Sequence, residues 1–164
     1  MYQKIMVTLD GSPLAECVLP HVENIIQGNK TAEIMLVQAV EPIAIPYGRE
    51  IAKFASLDQL KTFEAHNEAQ AKIYLAGASA RLSKTGANVK TYIVYGKAAD
   101  ALTDFAAKSG ADLVIMTTHG HSGISRWGWG SVADRLLRAI TVPILVIRAS
   151  TECAPASSQQ ASHV

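Results

Sequence analysis

Asp112-Leu113-Val114-Ile115-Met116 is an acid followed by an unbroken apolar run, and a second such run, Ile144-Leu145-Val146-Ile147, closes the same segment just after Pro143. Between them lie Thr117 to Gly130, rich in Gly, Ser and His, and a helical stretch from Ser131 to about Ile140. Short continuous Val/Ile/Leu runs are what strands buried on both faces look like. The same alternation extends upstream. Ile5 to Leu9 is an apolar run ended by Asp10-Gly11-Ser12-Pro13, and Ser12 with Pro13 reads as the N-cap and first position of a helix from Leu14 to Ile26 that Gly28 ends. Ile34 to Val40 reads as a second strand, and residues 41–55, broken by Pro42, Pro46 and Gly48, as a loop. Ser56-Leu57-Asp58-Gln59 has the spacing of a capping box and opens an alanine-rich helix running to about Lys84. Val89 to Tyr95 reads as a third strand ending at Gly96, and Lys97 to Lys108 as a helix with Ala98, Ala101, Leu102 and Phe105 on one face. Strands alternating with helices predict a single-domain α/β fold, an open parallel five-stranded sheet with helices on both faces; the expected strand order is 3-2-1-4-5.

The domain is expected to span residues 1–148. From residue 149 to 164 Ser, Gln, Ala and Thr dominate, the composition of a disordered tail. The chain has 164 residues, 49% of them hydrophobic and 18% charged, which suits one globular domain. Its formal net charge of +1 draws it to neither nucleic acid nor an anionic membrane, so any anion site must be local. No apolar run approaches membrane-spanning length, and Met1 to Lys4 leads straight into a strand without the apolar core of a signal peptide. A cytoplasmic location is expected. Cys17 and Cys153 lack redox-motif or zinc-ligand spacing and read as a small buried hydrophobe and an exposed thiol.

In folds of this class ligands bind beyond the carboxyl ends of the strands, where strand order reverses. That rule directs attention to Thr8–Ser12, Ala39–Pro42, Gly96–Ala98 and Thr117 onward. The small residues of the loop after the fourth strand let a backbone approach a ligand closely. Gly130-Ser131 stands where the last helix begins, and the unpaired N–H groups there face an anion with the positive end of the helix dipole. The alternative is a surface loop with Ser131 as a capping serine. Neither a Walker A sequence nor a dinucleotide fingerprint after the first strand is found.

This segment, with Val132-Ala133-Asp134-Arg135-Leu136-Leu137-Arg138 and Val142 to Arg148, resembles the C-terminal signature of the universal stress protein family, and Lys4 to Ser12 resembles that family's opening. The resemblance covers roughly residues 1 to 148. Its nucleotide-binding branch carries Gly, two residues, Gly, nine residues, then Gly and Ser or Thr. Here Gly120, Gly130 and Ser131 match, and Thr117 stands in place of the first glycine, where a β-branched side chain narrows the space. The resemblance implies an adenine nucleotide, ATP or AMP, whose phosphates Mg²⁺ or Mn²⁺ could accompany without a dedicated protein cage. It assigns Asp10 to the ribose hydroxyls, Thr8 and Leu9 to the adenine side, the Ala39 backbone to the adenine edge and Met116 to the base. Val132 would donate a backbone N–H to phosphate. It also implies a homodimer joined through the last strand, Ile144 to Ile147. The alternative is a nucleotide-free dimer acting through protein contacts.

His119 and His121 lack a third metal ligand nearby, so no metal site is expected. Arg126 is read equally as a phosphate donor or a solvated arginine, Trp127 and Trp129 as packing on the sheet edge or a partner, and Lys97 as an exposed first-turn lysine. No carboxylate or histidine is set by sequence logic as a general base for water, so at most slow ATP hydrolysis is expected and no catalytic residue is assigned.

Overall fold

The structure, a computed structural model, describes residues 1–42, 57–118 and 131–149. The elements run β1 (Lys4–Leu9), a 3₁₀ turn (Ala15–Val18), α1 (Leu19–Gly28), β2 (Glu33–Val40), α2 (Leu57–Ser83), β3 (Asn88–Tyr95), α3 (Ala98–Ser109), β4 (Leu113–Thr117), α4 (Ser131–Ala139) and β5 (Ile144–Ile147). The five strands form one sheet in the order β3-β2-β1-β4-β5, every pair parallel, as the alternation of elements predicts.

The apolar runs are continuous because each strand feeds two cores. Ile5, Val7 and Leu9 of β1 point to one face, where with Ile34, Leu36, Leu113 and Ile115 they meet Val22 and Ile26 of α1 and Leu75, Ala78 and Leu82 of α2. Met6, Met35, Val37, Val114 and Met116 point to the other, against Leu102 and Ala106 of α3 and Ala133 and Leu136 of α4. Successive side chains on a strand alternate sides, so a strand covered on both faces has no position left for a polar residue. Each fully buried Leu or Ile contributes about 1.5–3 kcal/mol. The start of the sheet is tied by Asp112, whose two carboxylate oxygens accept the backbone N–H groups of Gln3 at 2.7 Å and Lys4 at 3.0 Å.

Three local expectations change. The helix predicted from Leu14 begins as a 3₁₀ turn, and regular α-helix starts only at Leu19. Pro20 is the reason. It has no N–H to give the Glu16 carbonyl, which instead accepts the N–H of Leu19, the tighter three-residue spacing. On α3 the buried residues are Ala99, Leu102 and Ala106 rather than Ala98 and Ala101; Ala98 is half-buried and borders the cavity described below. Cys17 is buried and disulfide-bonded, which replaces the reading of it as a simple small hydrophobe; the chain's other cysteine, Cys153, lies outside the described residues. The Ser56 cap, the loop at 43–55 and the tail from residue 150 also fall outside them.

Candidate functional site

Parallel strands leave their last carbonyls and the following helix N-termini along one rim, and β1 is where the chain turns from winding one way to winding the other. At that rim a cavity of about 240 Å³ opens between the ends of β1 and β4 and the first turns of α3 and α4. Thr8, Leu9, Asp10, Ala39, Met116, Thr117, Ser131 and Val132 all border it. All but Met116 fall in the strand-end windows read from the sequence; Met116 is named by the family resemblance. Gly120 and Gly130, like His119, His121, Arg126, Trp127 and Trp129, lie outside the described residues.

The floor is apolar and the edges polar. Leu102 of α3 and Leu136 of α4, both core residues, close the bottom with Met116. Ala98 and Thr118 fall within the strand-end windows read from the sequence, whereas Ala15, Ala133 and these two leucines escaped it. Their helical spacing marks them as inward-facing, but only the packing of α3 beside α4 carries them to the cavity. Above them β2 outruns its neighbour. The ladder to β1 stops at Leu9–Gln38, whereas the ladder to β3 continues to Val40–Tyr95, so Ala39 stands beyond the end of β1.

Asp10 stands at the polar edge on a turn that fixes it. Its Oδ1 accepts both the N–H of Ser12, at 2.9 Å, and the Ser12 hydroxyl, at 2.6 Å. The same hydroxyl oxygen accepts the N–H of Ala15 at 3.1 Å, so Ser12 caps the 3₁₀ turn while it orients the carboxylate. Gly11 makes the reversal possible with φ of +83°, a conformation L side chains rarely adopt.

Two helix N-termini meet this rim, and they differ. At α3 the Glu41 carboxylate accepts the Ala98 N–H at 2.9 Å, and Asp100 lies in the first turn, so that end is already supplied with negative charge. At α4 the first-turn acid, Asp134, is held by Arg138 through two bonds of 3.0 and 3.2 Å. Ser131 and Val132 border the cavity at that end. The cavity thus joins an apolar floor for a flat ring, a carboxylate for hydroxyls, and a helix start for an anion. Lys97, which precedes α3, is exposed, as expected.

Comparison with known proteins follows this geometry. The model of the universal stress protein family matches residues 1–148. The universal stress protein MJ0577 of Methanocaldococcus jannaschii is 28% identical over 163 residues, covering 90% of this chain and 96% of its own. Its solved structure superposes with a TM-score of 0.77 at 26% identity, covering 92% of this chain and 98% of that one. Two further structures share the fold: a universal stress protein in complex with cAMP (TM-score 0.64, 22% identity, 91% and 98% covered) and an Arabidopsis thaliana family member with AMP bound (0.66, 17%, 94% and 96%).

Proposed function

Because the chain belongs to the universal stress protein family, we propose that the cavity at its sheet rim binds an adenine nucleotide, AMP or ATP, and that the protein acts as a regulatory binder in the cytoplasm during stress. One observation carries the reading: residues far apart in the chain, chosen for adenine, ribose and phosphate contacts, border a single cavity. Family members crystallised with AMP and cAMP support it.

In this reading the base lies on Met116 beside the Ala39 backbone, with Thr8 and Leu9 along its side. Asp10, oriented by Ser12, accepts the ribose hydroxyls. The phosphates take the start of α4 at Ser131 and Val132, together with Gly120 and Gly130. They avoid the start of α3, where Glu41 would repel them. Thr117 borders the cavity where the family's nucleotide-binding branch has glycine, and its extra bulk is expected to lower affinity without removing the anion end. Mg²⁺ or Mn²⁺ travels with the phosphates, held by their oxygens and by water. The described residues contain no group of three or more His, Cys, Asp or Glu able to cage a metal. We further propose a homodimer through β5, an edge strand whose Leu145 is 37% exposed.

Titration calorimetry with ATP, AMP and cAMP on the wild type and Gly130→Val tests the nucleotide reading. Saturable heat from the wild type and none from the variant is the expected result. Absence of heat with all three nucleotides would overturn it and leave a protein working through protein contacts.

A further inference from the structure

A second pocket, of about 440 Å³, lies on the other side of Asp10 and Ala39 from the first. Asp10, Gln38 and Glu41 wall it from the sheet side, and Asn67, Gln70 and Tyr74 from α2. Two of these residues carry a buried polar atom with no hydrogen-bond partner, the Gln38 Oε1 and the Tyr74 hydroxyl oxygen. A buried acceptor without a donor is costly, and folded proteins leave few of them without a reason. Both residues line the same cavity.

The walls decide which kind of molecule answers them. Two carboxylates in the lining repel an anion. A metal ion is disfavoured because the described residues offer no cluster of three or more ligating side chains. An ammonium group only donates, so it would leave the amide N–H groups of Asn67 and Gln70 and the Tyr74 hydroxyl hydrogen without an acceptor. The remaining groups are amides and a phenol. Burial, with the charges of Glu16 and Asp10, pushes the Tyr74 phenol up in pKa, so it stays protonated and able to donate. Neutral groups that give and accept in alternation match hydroxyls, which do the same.

We propose that this pocket binds a small neutral polyhydroxyl compound, a free sugar or sugar alcohol, through Gln38, Tyr74 and the amides of Asn67 and Gln70. It adjoins the nucleotide's cavity and shares Asp10 and Ala39 with it, but Gln38, Asn67, Gln70 and Tyr74 border this pocket and not the other.

The test is an NMR titration of the isotope-labelled full-length protein, without nucleotide, using sorbitol and myo-inositol, with spermidine and inorganic phosphate as charged comparisons. Saturable shifts of the Gly11 backbone amide and the Gln38 side-chain amide with a polyol are expected. Tyr74→Phe keeps the ring, and Gln38→Leu keeps the bulk; each is expected to weaken polyol binding about ten-fold. The proposal is overturned by no saturable shift with either polyol, by a response confined to spermidine or phosphate, or by unchanged affinity in a folded Tyr74→Phe. An AMP titration of the same sample, followed at Ser131 and Val132, reports the nucleotide site independently, so failure of one reading is distinguishable from failure of the other.

Discussion

Gly11 and Glu16 show how single positions near β1 trade stability for geometry. A Cβ added at Gly11 would sit 3.4 Å from the Gln38 Nε2, an ordinary contact, so space is not what demands glycine. The backbone is, because its φ of +83° strains any L side chain. Gly11→Ala is therefore expected to cost about 1–2 kcal/mol, read as a lower urea midpoint, and to misdirect Asp10. Glu16 carries a different burden. Burial raises its carboxyl pKa above the ordinary 4.5, against the opposing pull of Arg81. The folded protein then holds that proton more tightly than the unfolded chain, so this group's contribution to stability is greatest below pH 4.5 and declines as pH rises through the raised value. Glu16→Gln should be more stable than wild type at pH 7, with the difference closing as pH falls to 4.5. A constant difference across that range in denaturation curves would refute the assignment. At this scale Asp10 and Ser131 were legible, because a residue just past a strand or just before a helix has a role that sequence position announces. The orphan atoms of Gln38 and Tyr74 were not, since a glutamine and a tyrosine carry no local sign of which partners they will lack.

Among the elements, α4 bears most directly on the site. Its Leu136 is 1% exposed, packs in the second core and also floors the cavity at the sheet rim. Leu136→Ala should cost about 2–5 kcal/mol in global stability by leaving a void. The same change should weaken AMP binding, because the floor under the ring recedes. A melting temperature equal to wild type would show that the helix packs otherwise. The split of the first helix belongs to this scale too. Apolar spacing from Leu14 onward suggests one continuous helix, and Pro20 turns its first part into a 3₁₀ turn, for the ring removes a donor that an α-turn needs. That boundary was readable in principle from Pro20 alone. The hold of Glu41 on α3 was not, because it joins the end of β2 to a helix that begins only after β3.

Among the described residues the molecule is a sheet covered by two helices on each face, with β3 and β5 at its edges. An edge strand presents unpaired backbone groups that invite another strand. The proposed dimer uses β5 for this purpose, and Leu145→Lys, placing a charge in the seam, should shift light-scattering mass from dimer to monomer while leaving the far-UV spectrum intact. A wild-type monomer at micromolar concentration would end that proposal. The order of amino acids determined, by itself, that this chain makes a doubly covered parallel sheet, and it pointed to the rim after β1 and β4. Hydrophobic period, turn residues and helix starts are local properties, written within a few neighbouring residues. Only the tertiary structure decided that the start of α3 is taken by Glu41, that Leu102 and Leu136 share a cavity floor, and that Gln38 and Tyr74 face one pocket. Those relations depend on the distance between elements that packing alone brings together, and no local pattern encodes it.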